Sequence, residues 1–402
     1  MTVRRSLITG VVAVSVATFA LHAESIAAPA GKPGAVAEIQ EISPQVRARM
    51  AAEVPFADAA DRIEKAIAHS GADGLSGVGL ENEKLVVWWK GAVPTEVSQE
   101  ISRASVPVEV RAAAHSRREL EVTAEIVAAQ MRADAKSPIH MVLVPIDGSR
   151  VIAGADRADV AVRTSGTDVP VEVVVRKRAH TTAGPATRYN DGWAGNNFAP
   201  FSGGGAIINA DNGARCTAGF GVQNIAGAQF LLTAGHCGRV NGAWFNGNRS
   251  RSIGTARHEH VAHDLLLIPT SADNWMWDGG ATTGNFTKRV DGWAEARPGF
   301  AVCHSGSTSG AVCNFTNSNN FVYSYCDNDA YGNYECYNDM VYADYEPGGT
   351  GSRDGDSGGP VFTLVGSNAV RAVGTLDGSG DGFMIYQDFL TATRDFGITT
   401  IG

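Results

Sequence analysis

Two short motifs place a serine and a histidine in surroundings suited to acyl transfer. Ser357 lies in the run Gly-Asp-Ser-Gly-Gly-Pro, and His236 lies in Thr-Ala-Gly-His-Cys. A serine hydroxyl is a weak nucleophile at neutral pH and needs an adjacent base to accept its proton. Glycines let the main chain approach a substrate closely, so the N–H groups of Gly355 and Ser357 are candidates for stabilising an oxyanion. The motifs predict a nucleophilic serine with a histidine base.

Asp264 is the candidate for the carboxylate that orients the imidazole. It precedes the run Leu-Leu-Leu-Ile, which has the length and composition of a buried strand. A carboxylate at the start of that strand could reach a histidine at the edge of the core and hold the correct tautomer. The chain order His236, Asp264, Ser357 is that of chymotrypsin and differs from that of subtilisin.

At these residues the chain resembles the chymotrypsin-like serine peptidases, and most of all the secreted bacterial branch of the streptogrisin and alpha-lytic protease type. Other segments resemble the mature start, the Cys-x-Ser-Gly segment and the terminal helix of that branch; they are residues 203–207, 216–220, 303–310 and 386–390. The resemblance covers residues 200–402. It implies an all-β domain of two six-stranded antiparallel barrels, with His236, Asp264 and Ser357 in the cleft between them.

All six cysteines lie between residues 216 and 336, as expected for a fold stabilised by disulfides outside the cell. The family resemblance implies the pairs Cys216–Cys237 and Cys303–Cys313. Cys326 and Cys336 are then left to form the third pair.

The beginning of the chain predicts export. Residues 1–27 combine two early arginines with a short apolar run, as in a secretory signal peptide. We therefore expect a secreted, extracellular protein. Nothing later in the sequence is long and apolar enough to cross a bilayer.

Residues 28–190 predict a small α/β domain. Helices are expected at 44–70, with a break near Pro55, and at 96–104 and 118–135; strands are expected at 85–89, 140–145 and 169–176. The run Val-Val-Trp-Trp-Lys-Gly at 86–91 resembles the pro-regions of streptogrisin-type proteases. That resemblance implies a folding assistant and inhibitor, which would precede a protease domain at 191–402. The alternative to a pro-region is an accessory binding domain that is kept in the final product. Residues 181–203 predict a cleavable linker.

The net charge of −9 falls in residues 191–402, which hold 20 acidic and 11 basic residues. An acidic surface argues against nucleic acid or anionic membranes as partners. Polypeptide substrates and the chain's own pro-region are the expected partners of a monomeric protease. The chemistry requires no cofactor and no metal. The acidic stretch at 327–346 departs from the EF-hand spacing at Tyr331 and Asn338, so a disulfide-closed loop is favoured over a calcium site.

The sequence does not determine which residue the enzyme would prefer before the cut bond. The candidates for the pocket that holds the residue before the cut bond are Ser352, Asp354, Leu376, Asp377 and Gly378. One register puts Asp377 where the family has a serine beside the catalytic aspartate, which would raise one carboxyl pKa. A shift of one residue would aim Asp377 into the pocket, and a solvated loop aspartate is the third possibility. Asp356 needs a partner if buried, and an internal arginine is expected.

The sequence thus predicts a secreted serine endopeptidase made as a precursor. Two alternatives remain open. The first is a secreted binding protein on the same fold, and the second is an esterase that uses the same triad.

Overall fold

The computed structural model describes residues 42–183, 197–280 and 286–402. The predicted signal peptide, residues 1–27, and the centre of the predicted linker lie outside the described residues. Residues Ala35–Gly402 form one compact unit. The described residues contain four α-helices: α1 (Pro44–Ser70), α2 (Thr95–Arg103), α3 (Arg117–Arg132) and α4 (Phe389–Phe396).

Helix α1 runs without interruption through Pro55, so the predicted break is wrong. The Ser43 side chain caps its N-terminus by accepting from the Val46 N–H, and Gly71 ends it with φ 63°. An interior proline costs about 3 kcal/mol of helix stability. Packing at both ends of α1 offsets that cost. Its N-terminal half is buried in the core of residues 201–402, which we call the strand-rich half. Its C-terminal half packs on a small sheet within residues 75–112.

The strands that precede residue 184 are β1 (Leu75–Glu81), β2 (Lys84–Trp89), β3 (Val108–Ala112), β4 (Ile139–Pro145), β5 (Val151–Ala155), β6 (Val171–Val175) and β7 (His180–Thr181). Strand β2 lies between β1 (antiparallel) and β3 (parallel). Buried apolar residues of β2 face α1 and α2. The predicted mixture of helices and strands is therefore present.

Strands β4, β5 and β6 form a second layer, which is covered by α3. Helix α3 begins with a capping box, in which Ser116 and Glu119 each satisfy the other's backbone N–H. Its apolar face packs Leu120, Val127 and Met131 against β4. The sheet does not stop there, because β4 pairs antiparallel with a strand of the strand-rich half.

From residue 201 onward the described regular elements longer than one turn are all strands except helix α4, which confirms the expected all-β character. The strands are β8 (Phe201–Gly203), β9 (Ala206–Asn209), β10 (Arg215–Thr217), β11 (Gly221–Asn224), β12 (Gln229–Ala234), β13 (Ala243–Asn246), β14 (Ser252–Thr255), β15 (His258–His260), β16 (Leu265–Pro269), β17 (Ala272–Trp277), β18 (Thr287–Trp293), β19 (Ala301–Gly306), β20 (Gly310–Asn317), β21 (Asn320–Asn328), β22 (Tyr334–Tyr345), β23 (Pro360–Val365), β24 (Ala369–Gly380), β25 (Phe383–Asp388) and β26 (Ile398–Thr400).

The strands of residues 206–269 form two sheets, ordered β10-β9-β13-β14 and β15-β16-β12-β11, and the C-terminal strand β26 completes the second sheet beside β11. Later strands belong to a 14-stranded sheet that also contains β4, β5 and β6. Strand β4 joins it at β21, where Tyr325 lies opposite Met141. The first half of the chain thus covers what would otherwise be an open strand edge.

Three disulfides cross-link the strand-rich half: Cys216–Cys237, Cys303–Cys313 and Cys326–Cys336. The first two are the pairs that the family resemblance implied, and the third joins the two cysteines that were left over. In the part of the chain that the structure describes, no helix is long and apolar enough to span a membrane.

A buried arginine joins helix α1 to the strand-rich half. Arg297 is only 5% exposed, and its guanidinium donates to Asp61 (2.5 Å) and Glu64 (2.7 Å) of α1 and to Glu295 (2.7 Å). Burial of a guanidinium is tolerable only when its N–H groups are paired. Arg297 therefore fixes where α1 lies on the strand-rich half.

Substitution of Arg297 by alanine should destabilise the chain. We expect Arg297→Ala to lower the unfolding free energy by about 1–3 kcal/mol, since three acids lose their shared donor. Urea unfolding measures this loss. The control is Arg371→Ala, which removes an exposed arginine. Equal stability of the two variants would contradict the assignment.

Candidate active site

His236 lies in a short 3-10 turn, Gly235–Cys237, that directly follows strand β12. The Cys216–Cys237 disulfide fixes the far side of this turn. The Gly235 N–H donates to the Asp264 carbonyl at 2.9 Å, which ties the turn to the neighbouring strand. The histidine ring is thereby held in a buried position, with 1% of the residue exposed.

Asp264 reaches His236 because β12 and β16 pair in antiparallel register, with Ala234 opposite Leu265. Asp264 has φ 50°, a left-handed conformation that turns the chain from a 3-10 turn into β16. Its Oδ2 lies 2.7 Å from His236 Nδ1, and its Oδ1 accepts the His236 backbone N–H at 2.5 Å. The carboxylate therefore orients both the ring and the backbone of the histidine.

Ser357 lies on a glycine turn that packs tightly against strands β10 and β12. Gly358 has φ 81°, and a Cβ there would lie 2.0 Å from the Thr233 hydroxyl oxygen, so only glycine fits. The Ser357 carbonyl accepts from the Thr217 N–H at 2.7 Å. Ser357 Oγ lies 2.7 Å from His236 Nε2. The structure thus brings together the three residues that the sequence predicted.

Asp356 is fully buried and is held by backbone donors, so the expectation of an arginine partner needs correction. Its Oδ1 accepts from the Thr308 and Ser309 N–H groups, both at 2.9 Å, and its Oδ2 accepts from the Arg353 N–H at 2.8 Å. Across residues 42–183, 197–280 and 286–402, no arginine side chain forms an ion pair with Asp356. Three N–H donors stabilise a buried carboxylate without a cation.

Asp377 faces the histidine and does not point into a specificity pocket. The pairing of β24 with β25 shifts register between Leu376 and Gly378, so Asp377 lies at a bulge, which redirects its side chain. Its Oδ1 lies 3.4 Å from His236 Nδ1 and accepts the Tyr325 hydroxyl at 2.6 Å. Asp377 is 1% exposed. The pocket-facing and solvent-facing alternatives are therefore wrong.

Two carboxyl groups now share one buried site. Burial raises the pKa of Asp264 and the pKa of Asp377 well above their ordinary values, and the charge of Asp264 raises that of Asp377 further. Two adjacent buried carboxylates cannot both ionise cheaply. Among the described residues, Asp264 accepts two N–H groups of His236, whereas Asp377 accepts the Tyr325 hydroxyl alone. This difference in donors places the shared negative charge mainly on Asp264.

Burial also lowers the pKa of His236, and nearby carboxylates, with Asp377 foremost, oppose that shift. A lowered pKa keeps the imidazole neutral near pH 7, which is the form that can accept a proton. The site therefore has a neutral histidine between a hydroxyl and a buried carboxyl pair.

The remaining pocket candidates lie around the serine. Ser352 is buried, and its hydroxyl has no hydrogen-bond partner among the described residues. Asp354 is exposed. Leu376 is buried and exchanges backbone hydrogen bonds with the glycine turn, accepting from the Gly358 N–H and donating to the Gly359 carbonyl.

Sequence reasoning missed the segment that covers the site. Strand β7 pairs with β24, with Thr181 opposite Gly378, whereas the composition of residues 181–203 predicts a linker. Thr182 Oγ1 lies 2.8 Å from Ser357 Oγ, and the Thr182 carbonyl accepts the Gly355 N–H at 2.5 Å. Only the composition of this segment was informative, because its place in the cleft depends on pairing with a strand far away in the sequence.

Other side-chain clusters have protein partners. His263 contacts Asp395 and lies 3.6 Å from Asp339, with its ring stacked on that of His260. In the acidic stretch, Asp329 accepts from the N–H groups of two turn residues. None of the described groups of ligand-type side chains close enough to share a metal ion includes a residue of 327–346.

Comparisons with known proteins agree with the geometry. The family model described as Trypsin matches residues 208–389. The chain is 33% identical over 183 residues to Serine protease 2 of Streptomyces fradiae, a match that covers 44% of this chain and 95% of that protein. The chain therefore belongs to the trypsin family of chymotrypsin-like serine proteases.

Two further relatives are similar to different extents. Streptogrisin-A of Streptomyces griseus is 27% identical over 282 residues, which cover 63% of this chain and 82% of that protein. The crystal structure of Thermobifida fusca Protease A covers 50% of this chain and 97% of its own, with 24% identity and a TM-score of 0.38.

The raised pKa of Asp377 predicts a pH-dependent stability. Unfolded Asp377 ionises near its ordinary value of 3.8, whereas the folded group holds its proton to higher pH. Unfolding then releases a proton, and wild-type stability falls as the pH rises above about 4. Asp377→Asn removes this linkage, so its melting temperature relative to the parent should increase between pH 4 and pH 8.

Thermal unfolding in a Ser357→Ala background measures the effect. The control is Asp354→Asn, which neutralises an exposed aspartate of the serine loop. A difference between Asp377→Asn and its parent that stays constant with pH, as in the control, would show that Asp377 is ionised in the folded protein.

Proposed function

We propose that this chain is a secreted serine endopeptidase, made as a precursor, that hydrolyses peptide bonds through an acyl-enzyme. The carrying observation is the continuous contact from Ser357 Oγ to His236 Nε2 and from His236 Nδ1 to Asp264 Oδ2, each 2.7 Å. Membership of the trypsin family supports the same chemistry.

The mechanism assigns one role to each residue. His236 accepts the proton of Ser357 as Oγ attacks the peptide carbonyl carbon, and Asp264 stabilises the imidazolium that forms. The N–H groups of Gly355 and Ser357 stabilise the tetrahedral oxyanion. His236 then protonates the leaving amine, the C–N bond breaks, and water hydrolyses the acyl-enzyme through the same base.

We assign residues 1–27 to a signal peptide, 28–190 to a pro-region and 191–402 to the peptidase domain. Support for an assisting and inhibiting pro-region comes from packing. Val46 and Met50 of α1 are buried in the same apolar core as Phe362 and Phe389, and β4 extends the sheet at β21. The match to Streptogrisin-A covers 63% of this chain and so extends into its first half. The polypeptide substrate would meet a monomeric enzyme outside the cell.

The binding-protein alternative has one observation in its favour, which is the carboxyl of Asp377 beside the histidine. A covalent probe separates it from an enzyme, because only an activated serine reacts with a fluorophosphonate. An esterase would be labelled as well. Comparing kcat/KM for matched peptide and ester substrates then separates the two enzyme classes.

Labelling should depend on both members of the serine–histidine pair. We expect a fluorophosphonate to label the processed wild-type chain, and Ser357→Ala and His236→Ala to abolish labelling. Ser271→Ala, which changes an exposed serine, is the matched control and should be labelled fully. A folded, processed wild-type chain that remains unlabelled would leave the binding protein as the better hypothesis.

The two buried carboxyl groups should contribute unequally to activity. Asp264→Asn should lower kcat by about 10,000-fold, because the amide cannot hold the correct imidazole tautomer. Asp377→Asn should retain kcat within about tenfold, since its neutral amide resembles a protonated carboxyl group. Steady-state kinetics on one peptide substrate measures both. Equal losses would contradict the placement of the charge on Asp264.

A further inference from the structure

The segment that covers the site has the geometry of a bound substrate. The Thr182 carbonyl oxygen accepts the Gly355 N–H at 2.5 Å, and this N–H is one of the two donors assigned to the oxyanion. The Thr182 N–H points to the Asp377 carbonyl at 3.4 Å. Ser357 Oγ lies 2.8 Å from the Thr182 hydroxyl. The peptide group that follows Thr182 therefore lies at the serine.

The preceding residues hold this register. His180 pairs with Ser379 and Thr181 with Gly378 in an antiparallel ladder. The Thr181 N–H donates to Asp327 at 2.8 Å, and the Thr181 hydroxyl donates to the Asn328 carbonyl at 2.9 Å. A displacement by one residue would reverse which side chains face the protein. The ladder and these side contacts thus select Thr182 as the residue at the serine.

Burial along the segment shows which side chains are recognised. Thr182 is 2% exposed, and Ala179 is 3% exposed in an apolar cluster with Tyr325 and Tyr337. His180, in contrast, has 67% of its side chain exposed. The Gly378 and Gly380 positions have no space for larger residues, because a Cβ would meet the His180 carbonyl at 2.8 Å or the Phe383 ring at 2.4 Å. The cleft therefore encloses two small side chains.

We propose that the Thr182–Ala183 bond is the chain's own processing site, and that the enzyme cuts after small, uncharged residues of threonine size. This inference rests on the proposed peptidase function, and it moves the end of the released pro-region from residue 190 to Thr182. Ser357 Oγ forms an ester with the Thr182 carbonyl carbon while the bond to the Ala183 nitrogen breaks, and that amine takes the proton from His236. Water then releases the Thr182 carboxylate and restores the Ser357 hydroxyl.

The first experiment follows processing of the full-length chain over time. N-terminal sequencing and intact mass should identify Ala183 as the start of the first product of wild type, whereas Ser357→Ala should keep its first half. A first cut within 190–203 of an enzyme that a fluorophosphonate labels would overturn this inference and leave the peptidase function intact. Identical cutting of Ser357→Ala would overturn self-processing. Absence of labelling and of proteolysis would instead overturn the proposed function.

Variants of Thr182 test the pocket. Thr182→Arg should slow the first cut at least about 100-fold, because a guanidinium at this enclosed position would lose its hydration. Thr182→Val, which keeps the size but removes the hydroxyl that contacts Ser357 Oγ, should process within about tenfold of wild type. Thr399→Arg, which changes an exposed threonine of strand β26, is the matched control for the added charge and should process at the wild-type rate. Cutting of the Thr182→Arg chain at the same bond and at the wild-type rate would overturn the proposal.

A peptide series keeps the proposal testable if the Thr182→Arg chain does not fold. The mature wild-type enzyme would be assayed on Ala-His-Thr-X p-nitroanilides, where X is threonine, valine, arginine, phenylalanine or glutamate. We expect kcat/KM with threonine or valine to exceed the other three at least about tenfold. A preference for arginine, phenylalanine or glutamate would overturn the pocket assignment.

Discussion

One buried negative charge is the constraint on which the site depends. Asp264 is almost fully buried, and an isolated carboxylate in that position would be too costly to keep ionised. The fold supplies two short hydrogen bonds from His236, one from the backbone and one from the ring. Those bonds require the β12–β16 register and the left-handed turn at Asp264. The same two hydrogen bonds therefore orient the histidine and stabilise the ionised form of Asp264.

Asp377 places a second buried carboxyl group beside the His236–Asp264 pair. A neutral hydroxyl at that position would donate to Asp264 without introducing charge, whereas a carboxyl group can do so only while protonated. Burial and the neighbouring charge favour the protonated form, and the Tyr325 hydroxyl occupies one of its oxygens. A carboxyl group kept neutral by its surroundings can therefore serve as a hydrogen-bond donor without disabling the histidine.

Sequence reasoning succeeded where function or periodicity constrains short segments. The glycine turn at Ser357 and the helix at Pro44–Ser70 were predicted because tight turns and amphipathic helices leave local patterns. It failed at Pro55, where packing at both ends of the helix overrides a local breaker. It also failed at Asp356, because backbone N–H donors leave no trace in residue type. The side on which Asp377 lies depends on a bulge, which is set by strand pairing.

If the chain is a peptidase, the segment at Thr182 would combine the geometry of a substrate with that of an inhibitor. Thr182 supplies a carbonyl to Gly355, and its hydroxyl contacts Ser357 Oγ, which is also the partner of His236 Nε2. Whenever Ser357 Oγ donates to this hydroxyl it does not donate to His236, so attack is restrained while the carbonyl is held at Gly355. The first half of the chain helps to hold the segment in place, because Ala179 packs in one apolar cluster with Met141 and Leu143 of β4. Release of the new ends after a cut would remove the ladder and the competing hydroxyl together, and the cleft would then be open to other polypeptides.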